Sequence, residues 1–179
     1  MAATSASNAW AVGETDTLAG DLTVILHWNG TRWARAASPD PGASNTLAAV
    51  AATSATSAWA VGYSTTGGIE HTLILHWNGR TWRKVPSPGA TFGTNSALQG
   101  VAATGANAWA SGFGYDNTGT NKAFILRWSG RSWHQVAIQD LGAGVNSFLQ
   151  GIAAASGSNA WAVGSAGSGP AQAFAIHCC

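Results

Sequence analysis

Charge is what this sequence has least of: Asp, Glu, Lys and Arg make up 8% of the chain, against roughly a quarter in an ordinary globular domain. The formal net charge of +1 sets up no field to gather nucleic acid or an anionic membrane, and eight Lys and Arg are too few for a basic stripe. Nucleic acid is therefore not expected as a partner. Long apolar runs are missing too, since segments such as 73–75 and 123–126 fall far short of the ~20 residues that cross a bilayer. No membrane span is expected. Residues 1–8 carry neither the basic nor the apolar region of a secretory leader. The two cysteines, Cys178 and Cys179, are adjacent and offer neither a disulfide framework nor metal-ligand spacing. No metal and no cofactor are expected.

What the chain does have is 46% apolar residues, 23 Gly and 10 Trp, a composition that builds a core and argues against disorder. Its 179 residues suffice for one domain with a continuous core. The content is organised by a repeat of about fifty residues. NAWAVG at 8–13 returns as SAWAVG at 57–62, NAWASG at 107–112 and NAWAVG at 159–164. VILHWNGTRW at 24–33 returns as LILHWNGRTW at 73–82 and FILRWSGRSW at 124–133. A third block precedes NAWAVG at 47–53, 98–104 and from Leu149. The units run over about 1–46, 47–96, 97–147 and 148–179, within a single repeat domain.

Each unit reads as four short strands, a to d, because β-rich runs alternate with Gly, Asn, Ser and Pro clusters. Strand a is LAAVAAT-like, b is AWAVG, c is TLILHW-like and d starts at the second Trp of HWNGRTW. Asn29-Gly30, Asn78-Gly79 and Ser129-Gly130 predict two-residue type I′ turns between c and d. Trp28 would then face Thr31, His27 would face Arg32 and Leu26 would face Trp33, with Leu26, Trp28 and Trp33 on one face. Strand c is apolar on both faces, as in a sheet sandwiched between sheets. The expected fold is all-β: about four four-stranded antiparallel β-propeller blades, the last lacking its outer strand. That unfinished edge leaves open a larger ring, or a ring completed by self-association.

At HWNGRTW and AWAVG the chain resembles the propeller repeats of the BNR/Asp-box and photosystem-stability-factor type, in which a GWAVG strand precedes a DGGxTW hairpin. It departs from the Asp-box in carrying Asn or Ser before Gly where Asp is usual. It is also similar to the Trp-rich repeat proteins of actinobacteria and related soil bacteria, written SAWAVG…LILHWNGxxW…SP. The resemblance spans almost the whole chain. It implies a bacterial propeller, with an extracellular setting to which the charge-poor composition also leans, and a family range from assembly factors to lectins and sialidases.

Recurrence at identical places in the repeat assigns Trp10, Trp28, Trp33, Trp59, Trp77, Trp82, Trp109, Trp128, Trp133 and Trp161 to the core. His27, His76 and His177 share one strand-c position with Arg127, which a metal site would not tolerate, so a structural or solvent-edge role is expected there. The b–c connections (14–21, 63–71, 113–121, 165–171) and d–a connections (39–46, 88–96, 139–147) vary between units and emerge on one side. All seven acidic residues lie in them or at their borders, giving one acidic rim. The candidate ligand-binding residues are Tyr63, Glu70, Phe92, Phe113, Tyr115 and Asp116, because aromatics with carboxylates suit a sugar or a cationic peptide. No catalytic constellation is present in the pattern. The expected function is non-enzymatic binding of a protein or carbohydrate, with a carbohydrate-active enzyme module or a lectin-like sugar-binding propeller as the alternative.

Overall fold

Each unit forms one antiparallel sheet whose strands follow chain order. The first contains β1 (Ala2–Ser5), β2 (Asn8–Thr15), β3 (Leu22–Trp28) and β4 (Trp33–Ala36), and the second β5 (Ser44–Ser54), β6 (Ser57–Thr66), β7 (Ile69–Trp77) and β8 (Trp82–Lys84). The third contains β9 (Ser96–Thr104), β10 (Asn107–Tyr115), β11 (Asn121–Trp128) and β12 (Trp133–Val136), and the fourth only β13 (Asn146–Ser156), β14 (Asn159–Gly167) and β15 (Gln172–Cys178). The structure, a computed structural model, describes residues 1–91 and 93–178. Consecutive sheets pack together, and their first strands touch in turn, β1 with β5, β5 with β9 and β9 with β13. Meandering sheets set side by side along their first strands are propeller blades. The fold class is the expected one, including the three-stranded last blade.

The c–d hairpin departs from expectation. Trp28 pairs with Trp33, His27 with Ala34 and Leu26 with Arg35, so residues 29–32 all lie in the turn. Asn29 opens it as an Asx-turn, its Oδ1 accepting hydrogen bonds from the N–H groups of Thr31 and Arg32 at 3.0 Å each. Gly30 supplies a left-handed φ of 96°. Asn78 accepts from Arg80 and Thr81 in the same way, and the Ser129 hydroxyl accepts from the Ser132 N–H. The pairing therefore slips by two residues, which preserves the alternation of faces. Leu26, Trp28 and Trp33 still share one face although the predicted pairs are wrong.

Strand a carries a bulge opposite the NAWAVG glycine. The register jumps between Leu47 and Ala49 beside Gly62, and similarly beside Gly112 and Gly164. At these glycines a Cβ would fall inside the carbonyl oxygen of Thr46, Ala97 or Phe148 respectively. Gly13 has open space instead, because the short β1 pairs no further along β2 than Trp10.

The core lies in the seams between blades. Alternation along AWAVG sends Trp to one face and Ala to the other. At the first seam Trp10, 1% exposed, lies against Trp77 and Trp82 of the next blade with ring centroids 5.0 and 5.1 Å away, the second edge-on at 88°. At the second, Trp59 meets Trp128 and Trp133 at 5.0 and 5.2 Å, the latter at 90°. Ile25, Val50, Leu73 and Leu75 complete the first seam, and Val61, Ile74, Leu98, Phe124 and Leu126 the second. Ala58, Ala60, Ala108 and Ala110 are fully buried, their small side chains giving each incoming indole room. At the third seam Trp109 packs against Ala160, Ala162, Ile176 and Cys178, the last standing where earlier blades place Trp77 and Trp128.

Two tryptophans correct the expectation of a uniform core. Trp33 is 42% and Trp161 53% exposed, because they sit on the outer faces of the first and fourth blades. Trp10, Trp59, Trp82, Trp109 and Trp133 are buried, and Trp28, Trp77 and Trp128 are half-buried.

Candidate functional site

The strand-c position shared by His and Arg has a packing role. Trp10 stacks on His27 at 4.2 Å and Trp161 on His177 at 4.4 Å, Trp59 lies tilted against His76 at 4.1 Å, and the Arg127 guanidinium covers Trp109 at 5.2 Å. A flat guanidinium covers an indole as an imidazole does, which is why Arg is accepted there. Burial lowers the His76 pKa, favouring the neutral ring.

The variable rim is tied down by polar contacts that recur along the chain. Thr23 Oγ1 lies 2.5 Å from Ser38 Oγ and Thr72 Oγ1 2.7 Å from Ser87 Oγ, with further bonds to the carbonyls of Pro39 and Pro88. These Ser-Pro steps pin the d–a connection to strand c. Asparagines clamp the other end: Asn45 donates to the Asp21 carbonyl, Asn95 Oδ1 accepts from Glu70 N–H at 2.8 Å, and Asn146 Oδ1 accepts from Asn121 N–H at 2.9 Å. Asn45 is fully buried.

The third unit breaks the first of these rules. Where the earlier units pair Thr with Ser, it has Ala123 and Ile138. Both hydroxyls are lost together, so neither is left without its partner. At this place a cleft of about 290 Å³ opens between the third and fourth blades. Its apolar walls are Ala123, Val136, Ile138, Phe174 and Ile176, and its polar lining includes Asp116, Lys122, Gln135, Gln139 and Asp140. The volume stands at the lower end of the ~300–1,000 Å³ typical of small-ligand sites.

The charges around the cleft are fixed. Lys122 Nζ donates to the Gly142 carbonyl at 2.6 Å and lies 3.6 Å from Asp140 Oδ1. Asp116 Oδ1 accepts from Thr118 Oγ1 at 2.6 Å and from the N–H groups of Thr118 and Thr120 at 2.8 and 2.9 Å. The Thr118 hydroxyl first and the Thr120 amide second hold the Asp116 carboxyl below the usual carboxylate range. Asp140 is held low by the Gly142 amide and then by Lys122. Both are built to stay ionised, the opposite of a proton donor, whose pKa must be raised.

The sequence-selected residues divide. Asp116 lines the cleft, and Tyr115, 39% exposed, stands beside it at the end of β10. Phe113 lies 6.5 Å from Tyr115 and 4.9 Å from Phe148. Tyr63 and Glu70 belong to the second blade and lie outside the cleft; the predicted 63–71 connection is mostly strand, turned at Gly67 and Gly68. Phe113 and Tyr115 likewise belong to a strand rather than a loop. Phe92 lies outside the described residues. The residues that sequence reasoning passed over are Lys122, Ile138, Asp140 and Phe174, and the paired change at 123 and 138 was the available signal. Among the described residues no cluster of three His, Cys, Asp or Glu is arranged to hold a metal, and no helix is long and apolar enough to cross a membrane.

No family model and no curated protein matches the chain. The solved structures similar to it include the following two. One is a mutant Aleuria aurantia lectin in complex with alpha-methyl-L-fucoside, 12% identical over 94% of this chain and 61% of that one, with a TM-score of 0.49. The other is YCF48 bound to D1 peptide, 12% identical over 85% of this chain and 46% of that one, with a TM-score of 0.42. The chain spans less than two thirds of either.

Proposed function

We propose that this protein is a non-enzymatic binding module that takes its ligand in the cleft between the third and fourth blades. The observation that carries the reading is the coordinated replacement of the Thr–Ser pair by Ala123 and Ile138, which gives the cleft apolar walls where the earlier units keep a hydrogen-bonded polar pair. Asp116 and Asp140 outweigh Lys122, whose ammonium is already engaged. Such a cleft accepts an apolar body ending in a cation, as in a Lys- or Arg-containing peptide. Two carboxyl groups held ionised favour binding over glycoside hydrolysis, which requires one to donate a proton. A second reading, a sugar, is favoured by the exposed Tyr115 ring beside Asp116.

Peptide and glycan arrays probed with the whole chain separate the two. Ala123→Thr with Ile138→Ser restores the joint of the earlier units and should keep the fold while abolishing capture. Asp116→Ala should weaken peptide capture at least about tenfold, a loss of ~1.4 kcal/mol, and Tyr115→Ala should weaken sugar capture instead. A wild-type chain that captures neither class, or a double variant that binds as well as wild type, defeats the proposal.

A further inference from the structure

The outer faces of the first and fourth blades are the two halves of the seam that the chain builds twice inside itself. Each of these first two seams inserts a strand-b Trp, lying on its strand-c His, against a Trp–Trp pair on the next blade. The fourth blade presents the first half. Trp161 and Val163 are each 53% exposed, and Trp161 is stacked on His177 at 4.4 Å and 28°, as Trp10 is on His27 at 4.2 Å and 26°. Asn159 Oδ1 holds His177 at 3.2 Å, as Asn8 holds His27 at 2.8 Å.

The first blade presents the second half. Trp28 and Trp33 are 5.7 Å apart at 47°, the arrangement in which Trp77 and Trp82 (6.0 Å, 42°) and Trp128 and Trp133 (5.8 Å, 51°) receive the indole of the preceding blade. Trp28 Nε1 donates to the Ala6 carbonyl at 2.9 Å, as Trp77 Nε1 does to Ala55 at 3.0 Å. Trp33 is 42% exposed where its covered counterparts Trp82 and Trp133 are 4% and 3%. Both halves already hold the geometry of the buried seam, so docking would order few side chains.

Charge points the same way. No Asp, Glu, Lys or Arg follows Asp140 in the sequence, so the fourth blade carries none of the charges that usually guard an open sheet.

We infer that the occupant of the open fourth-blade face is a second copy of this chain, docked head to tail through its first blade. The contact is heterologous: Trp161 of one copy enters between Trp28 and Trp33 of the next. The fourth blade offers three strands to it, but Trp161, Val163 and His177 all lie on β14 and β15, which are present.

Sedimentation velocity on the 179-residue chain tests this. The wild type should form dimers or larger species that grow with concentration. Trp161→Glu and Trp33→Glu, both at exposed positions, should each remain monomeric, while their equimolar mixture should yield a dimer, because each supplies the half the other lacks. Circular dichroism confirms that both variants are folded, and the wild-type measurement depends on neither. A wild-type chain that stays monomeric at every concentration overturns the inference. So does a Trp33→Glu chain that associates like wild type, which would mean fourth blade on fourth blade, or a mixture of folded variants that does not associate.

Discussion

Ten tryptophans at repeated positions do not carry equal weight, and the difference follows from which have a neighbouring blade. Trp59 is 5% exposed and touches His76, Trp128 and Trp133, whereas Trp161, in the same AWAVG segment and also against a histidine, is 53% exposed. Removing a buried aromatic loses its burial and leaves a cavity, together about 3–5 kcal/mol. Trp59→Ala should lose stability of that order in urea denaturation. Trp161→Ala should lose under about 1 kcal/mol on dilute protein, where no second copy covers it. Equal losses would mean that Trp161 is covered as fully as Trp59. The His position shows the same economy of means, since what it requires is a flat group over an indole. The change from His76 to Arg127 meets that requirement without changing the seam.

At the level of strands and turns, the repeat made much of the fold legible, since strands b, c and d recur with their tryptophans in place. Turn length was not legible. Asn-Gly reads as the centre of a two-residue hairpin, but the Asn29 side chain satisfies two amides by itself and allows Asn-Gly to open a longer turn. Faces survived the error because the slip was even. Strand ends were also misjudged, as Tyr63, Phe113 and Tyr115 continue strands that NAWAVG begins, and pairing with strand a extends them. The cleft was the least legible feature. Ala123 and Ile138 are ordinary residues, and they gain meaning only when set against the hydrogen-bonded Thr–Ser pairs of the first two units. The bulge in strand a yields a test of the element itself. Gly62→Ala should cost more than about 2 kcal/mol, because the Thr46 backbone must move, whereas Gly13→Ala should be close to neutral. Thermal denaturation of the two variants compares them, and similar midpoints would contradict the bulge.

For the molecule as a whole, stability resides in the seams rather than within sheets, so it is approximately a sum of neighbour terms. Those terms are unequal. The first two seams contain three interlocking tryptophans each, while the third has Trp109 against Ala160, Ala162 and Cys178. The fourth blade also has an open face at Trp161 and Val163. Hydrogen exchange should therefore rank by unit, with amides of β14 and β15 exchanging faster than their counterparts in β6 and β7. Uniform protection across all four blades would contradict this ordering.

The exchange of Thr and Ser for Ala123 and Ile138 has an evolutionary corollary. A tandem array copies its joints along with its strands, so any single joint is expendable as long as its neighbours keep the stack aligned. Duplication thus supplies spare parts in advance, and a pocket can change its chemistry where one spare is released from holding the edifice together.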